Sequence, residues 1–209
     1  MILKDKVAVI YGAGGAIGSA VARAFALEGA NVFVTGRHLA PVDAVAKEVV
    51  SAGGSAEAAE VDALDEQAVD EHLQSVIDKA GRVDISFNAV GIPNTNILGV
   101  PLVELDVEQF SLPTTTYATS YFPTARLAAR RMVANKSGVI MTATALHSRT
   151  GIPLVEATAR RWPPRRHSLE IHPPSSHHRA FAWSVCDHRA CRRHARSRKP
   201  SSLVPSHRE

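Results

Sequence analysis

After the apolar run Lys6–Tyr11 the chain reads Gly12-Ala13-Gly14-Gly15-Ala16-Ile17-Gly18, and Ala16–Glu28 follows a helical pattern. A turn with so little side-chain bulk lets backbone N–H groups approach an anion closely. Gly12 permits the tight turn, and Gly14, Gly15 and Ala16 clear room for a pyrophosphate. The helix that starts at Ala16, with Ile17 in its first turn, has a positive N-terminal end that favours phosphate charge, and Gly18 lets that helix lie close against a sheet. A merely tight loop is the plainer alternative. The strand–turn–helix setting argues against it, because a dinucleotide-binding turn needs that order.

The second candidate lies at Val34-Thr35-Gly36-Arg37-His38. An acidic side chain at the end of this second strand would bind the adenosine ribose hydroxyls and repel a 2′-phosphate. Gly36 leaves that place empty, and Arg37 can offer a charge-assisted fork to a phosphate. A solvated surface arginine is the alternative reading. The pattern favours NADP over NAD.

Positioning these residues requires alternating strands and helices. Lys6–Tyr11, Asn31–Thr35, Ala56–Val61, Val83–Asn88 and Gly138–Thr144 are short and apolar enough for strands of a parallel sheet. Between them, Ala16–Glu28, Pro41–Ala52 and Asp65–Ala80 carry helical spacing and are closed by glycines. Pro113 and Pro123 divide the stretch before the fifth strand, so the pattern predicts two helices, Val107–Tyr121 and Thr124–Ala134. Helices of this length between strands imply right-handed crossovers and an α/β, Rossmann-type doubly wound parallel sheet.

With these landmarks in order, the chain resembles the short-chain dehydrogenase/reductase family over roughly residues 5–155. The family's Gly-x-x-x-Gly-x-Gly turn is matched at Gly12 and Gly18, with Ala16 in the middle place. Its adenine-contacting aspartate after the third strand is matched by Asp62. Its Asn-Asn-Ala-Gly motif is matched loosely by Asn88-Ala89-Val90-Gly91, with Asp84-Ile85 ahead of it. The resemblance implies that Asp62, Asn88, Ala89 and Gly91 join the cofactor site. It also implies an oxidoreductase acting on a carbonyl or alcohol of a small-molecule substrate with NAD or NADP.

The same resemblance implies four catalytic residues: an asparagine on the long helix, a serine after the fifth strand, and a tyrosine and lysine four apart. The tyrosine exchanges a proton with the substrate oxygen under the influence of the lysine's charge. Setting Phe110 on the family's aromatic position puts Tyr117 in the place of the asparagine. Thr144 or Ala145 then falls on the serine, with Ser148 close by, so Thr144 and Ser148 are the candidate hydroxyls. A threonine-rich strand end satisfying its own backbone is an equal alternative. The tyrosine falls near Thr158, yet no tyrosine follows Tyr121, and the only lysine after Lys136 is Lys199. The proton-transfer pair is missing.

Composition explains where the pattern stops. Residues 1–155 hold 12 basic and 16 acidic residues, whereas residues 156–209 hold 12 basic and 4 acidic ones. Both tryptophans, both cysteines and seven of the ten histidines also lie after residue 155. This basic Arg/Pro/Ser/His-rich tail has no glycine and no periodicity, so it predicts an unpacked segment. It also resembles a GC-rich gene read out of frame. Ala157-Thr158-Ala159-Arg160 can be coded GCT-ACG-GCC-CGG, and moving the frame back one base yields Gly-Tyr-Gly-Pro. The shifted codon at Trp162 must end in TG and cannot encode lysine. A Rossmann domain over 1–155 lacking the C-terminal part of its fold, followed by a tail over 156–209, is therefore the expected organisation. The family's later helix and last strand, which usually form its homo-oligomer interfaces, are not legible here.

Three functional readings follow. One is an NADP-linked oxidoreductase, and another is a cofactor-binding remnant without turnover. The third gives the tail a role. Arg160, Arg161, Arg165 and Arg166 could meet nucleic acid, but the aromatic residues Trp162, Phe181 and Trp183 are irregularly spaced for stacking. Cys186, His188, Cys191 and His194 cluster, but at a spacing that matches no common zinc pattern, so no metal is expected. Two cysteines exclude a disulfide scaffold. The chain shows neither a leader pattern nor a membrane-length apolar run, which predicts a cytoplasmic protein with no membrane partner.

Overall fold

The computed structural model describes residues 1–92 and 97–143. Thr144, Ser148 and the whole 156–209 tail, including its cysteine–histidine cluster, lie outside the described residues. Five strands form one sheet: β1 (Val7–Tyr11), β2 (Asn31–Gly36), β3 (Ser55–Glu60), β4 (Ile85–Asn88) and β5 (Val139–Thr142). They run in the order β3-β2-β1-β4-β5, and every pairing is parallel. The connecting helices are α1 (Ala16–Leu27), α2 (Leu39–Ser51), α3 (Glu66–Ala80) and α4 (Val107–Ala134), with a 3₁₀ turn at Leu102–Glu104. The predicted parallel α/β sheet is what forms.

The central strands β1, β2 and β4 are largely buried and apolar because both faces are covered, whereas the edge strand β3 exposes Ser55, Glu57 and Glu60. Residue alternation decides which helix pair each side chain meets. Ala8, Ile10, Val32 and Val34 point toward α1 and α2, joining Ala22, Ala26, Val42 and Val49 in one core. Val7, Val9, Tyr11 and Phe33 point the other way and pack with Val69, Leu73, Val76, Leu127 and Met132 of α3 and α4. Helices on both faces of one sheet thus make three layers with a core on each side. Asp65 caps α3 by accepting from the N–H groups of Gln67 and Ala68, and Gly81 ends the helix at φ 74°.

The two helices expected before β5 are one. α4 runs continuously through Pro113 and Pro123 for 28 residues. Proline removes one intrahelical bond and crowds a carbonyl one turn back, but burial can outweigh that cost. Here Pro113, Tyr117, Ser120, Tyr121, Pro123, Thr124, Leu127, Ala128 and Met132 form a single buried stripe. Asp106 and Gln109 close a reciprocal capping box at the helix start.

Asp84 anchors the amino end of the sheet. Its buried carboxylate accepts from Val7 N–H at 2.9 Å and from Arg82 Nε at 3.0 Å, with Lys6 Nζ 3.8 Å away. Its carbonyl receives Val139 N–H, so β1, β4 and β5 are tied at one residue. Of the polar atoms buried in this half, the Tyr11 hydroxyl has no partner among the described residues, and burial raises its pKa.

On α3, His72 packs edge-on against Phe33, with ring centroids 6.5 Å apart. Burial is the main cause that lowers its pKa to about 4, partly opposed by Glu57 and assisted by Lys79. The folded chain therefore holds His72 neutral at a pH where the unfolded chain has already protonated it. Stability contributed this way is present above the ordinary histidine range and is lost as pH falls from about 6.5 toward 4. Urea unfolding should show His72→Leu losing less stability than the parent between pH 7 and pH 4, by about 2 kcal/mol. Parallel pH profiles for the two proteins would contradict this origin of the acid sensitivity.

Candidate functional site

Strand order reverses at β1, whose neighbours β2 and β4 are reached by crossovers on opposite faces. A crevice opens at the carboxyl ends of the strands at such a point, and ligands of doubly wound sheets bind there. The chain places its glycine turn on one side of this crevice and the residues after β4 on the other.

Contacts at the turn leave no room for side chains. Gly12 sits at φ +72°, and a Cβ there would lie 2.8 Å from the Ala89 carbonyl carbon and oxygen. A Cβ on Gly18 would stand 2.4 Å from the Gly12 carbonyl oxygen and 2.7 Å from Ala13 Cα. The first turn of α1 is therefore pressed onto the loop, and the loop onto the Ala89-Val90 peptide. Ala13 N–H donates to Thr35 O at 2.9 Å, which ties the turn to β2 as well. Gly14 is crowded by Pro41, where a Cβ would come within 2.8 Å.

The helix end that results is free for an anion. Gly15 is the N-cap of α1 and makes no side-chain cap bond, and no acidic residue occupies the first turn. Gly14, Gly15, Ala16 and Ile17 are exposed, Ile17 at 61% despite its size. An open helix N-terminus lined by glycine and alanine and flanked by an exposed isoleucine fits a dinucleotide's pyrophosphate with apolar cover beside it. The predicted residues 12–18 all come together here.

Across the crevice, Asn88 ends β4 and is fully buried. Its Nδ2 donates to Ser120 O at 3.2 Å and to Thr124 Oγ1 at 3.0 Å, and its Oδ1 accepts Val90 N–H at 2.9 Å. Both ends of the amide are thus committed to holding α4 and the Ala89–Gly91 segment. Asn88 builds the wall, while half-buried Ala89 and exposed Gly91 face outward from it. Thr124 was not among the sequence candidates. Its signal is only visible in space, because it lies 36 residues from Asn88.

The loops after β2 and β3 carry the remaining candidates. Arg37 is exposed and has no ion-pair partner among the described residues. Asp62 is half-buried and accepts Leu64 N–H at 3.0 Å, which folds the loop leading to α3. Sequence reasoning missed Glu60, whose Oε2 accepts Leu39 N–H at 2.9 Å.

Above β5, α4 supplies two tyrosines. Tyr117 and Tyr121 have ring centroids 5.7 Å apart, and Tyr121 Oη donates to Ala143 O at 2.7 Å. Tyr117, in the place where the family resemblance implies an asparagine, is 4% exposed. An open groove between α3 and α4, lined by Glu66, Gln67, Asp70, Glu71, Leu127 and Arg130, is the other concavity near these helices. It does not include the glycine turn, and three of its six lining residues are acidic, which disfavours phosphate.

The comparisons with known proteins agree with this geometry. Residues 6–157 match the short chain dehydrogenase family. The 3-oxoacyl-[acyl-carrier-protein] reductase of Synechocystis is 28% identical over 152 residues, covering 72% of this chain and 60% of that protein. The 7alpha-hydroxysteroid dehydrogenase of Escherichia coli is 32% identical over 144 residues, covering 69% and 54%. A metagenomic short-chain oxidoreductase solved in complex with NADP superimposes with a TM-score of 0.66 at 27% identity, covering 77% of this chain and 72% of that one. The chain thus spans little more than half the length of these two curated relatives. Across the described residues no helix is long and apolar enough to cross a membrane. A parallel sheet with a glycine turn at its crevice, matched in order over residues 6–157, makes this chain a member of the short-chain dehydrogenase/reductase family, whose proteins bind NAD or NADP.

Proposed function

We propose that this chain binds NADP(H) in preference to NAD(H) and belongs to an oxidoreductase that interconverts a carbonyl and an alcohol. Arg37 is the observation that carries the preference. It stands exposed and without an ion-pair partner among the described residues, where the adenosine ribose would lie, and Gly36 beside it supplies no acid. A guanidinium can bind a 2′-phosphate in a forked geometry that a neutral ribose hydroxyl does not reward. Gly14–Gly18 would hold the pyrophosphate at the head of α1, and Asp62 would face the adenine. Bound NADP(H) supplies or accepts the hydride. The named relatives, a 3-oxoacyl reductase and a hydroxysteroid dehydrogenase, both have names that denote this class of reaction.

A second reading concerns turnover. No tyrosine follows Tyr121 and only Lys199 follows Lys136, so the chain as written offers no Tyr/Lys pair to move a proton. On this reading residues 6–157 bind cofactor but do not catalyse, and residues 156–209 are an out-of-frame translation.

Arg37→Asp separates these claims in one set of measurements. Fluorescence titration of the full chain should show tighter binding of NADPH than of NADH. The substitution should reverse that order, a swing of about 1–3 kcal/mol. Equal affinities of the parent for the two cofactors would overturn the NADP reading. Assays with ketones, aldehydes and alcohols should show binding without turnover, and robust turnover would overturn the second reading alone.

A further inference from the structure

Arg37 does not stand alone at the end of β2. β3 ends beside it, with Gly36 in register with Glu60. Glu60 is exposed and points its carboxylate at the start of α2, where Oε2 accepts the N–H of Leu39 at 2.9 Å. That helix has no anion of its own there. His38 is its N-cap without a side-chain cap bond, and its first turn contains no acid. A residue 21 positions along the chain therefore provides the negative charge that a helix N-terminus favours. One corner of the crevice thus holds an exposed guanidinium, a helix N-terminus and a carboxylate already seated on it.

We propose that Glu60 is a specificity-determining residue of the cofactor site, opposing the preference for NADP(H) that Arg37 creates. The inference rests on the NADP reading given above. A 2′-phosphate drawn to Arg37 enters a corner whose α2 amide is occupied and whose occupant is an anion. Near pH 7 the phosphate carries close to two negative charges, so the carboxylate repels it. A ribose 2′-hydroxyl carries none and can donate a hydrogen bond to the same carboxylate. Glu60 therefore plays, from β3, the part that an acid at the end of β2 would play. Gly36 removed that acid from the sequence pattern, and the fold returns one from the neighbouring strand.

Glu60→Gln tests this with little change of shape, because the amide oxygen can still accept from Leu39 N–H. In the full-length chain, fluorescence titration should show NADPH binding tightened by about three- to tenfold, a surface charge effect that shrinks as salt is raised. NADH binding should stay within about twofold, and thermal unfolding of the free protein should confirm that the variant is folded. Unchanged or weaker NADPH binding, or a parallel loss for both cofactors, overturns the proposal and leaves Glu60 a helix cap only. Arg37→Asp distinguishes the two levels. If it weakens NADPH binding while Glu60→Gln does nothing, the Glu60 proposal alone fails. If it leaves NADPH binding unaltered, the reading beneath it fails as well.

Discussion

The site depends on one steric constraint: Gly12 and Gly18 must both lack side chains. The carbonyl of Gly12 lies where a Cβ on Gly18 would be, and the Ala89 peptide lies where a Cβ on Gly12 would be. These two contacts press α1, the turn and the end of β4 together. Without them α1 would start farther from the sheet, and its N-terminal amides would no longer point into the crevice. Tertiary packing and an anion site are thus produced by the same missing atoms. Among the described residues no side chain caps those amides: Gly15 caps without a side-chain bond and the first turn of α1 holds no acid. The opposite wall is held with equal economy by Asn88, whose amide joins β4, α4 and the following loop.

Much of this was legible in residue order. Short apolar runs separated by helical segments closed by glycines located all five strands, since buried parallel strands need apolar side chains on both faces. The glycine turn was legible because its requirement is local. Two features were not. Pro113 and Pro123 signal helix ends, but the buried stripe of α4 outweighs the local cost and keeps one helix. Glu60 reads as the last polar residue of an edge strand, and only the pairing of β2 with β3 brings it to the head of α2. Both omissions have the same physical source, which is that long-range packing decides them.

The division within the chain is also one of chemistry. The described residues hold an open helix N-terminus and a close backbone approach, with Arg37 and Glu60 at the ends of β2 and β3. Proton transfer requires a phenol and an ammonium group at the substrate, and the family resemblance places these beyond residue 155, where the composition changes. Cofactor binding and catalysis are separable in such a fold because the first strand–helix units make the binding crevice largely by themselves.

Hydrogen exchange on the full chain with and without NADPH tests the central claim most directly, since it reports where the dinucleotide lies. Slowed exchange should be confined to amides of residues 12–18 and the loops following β2, β3 and β4. Protection centred instead on the α3–α4 groove around Glu66–Glu71, or no protection at saturating NADPH, would contradict the placement of the cofactor on the glycine turn.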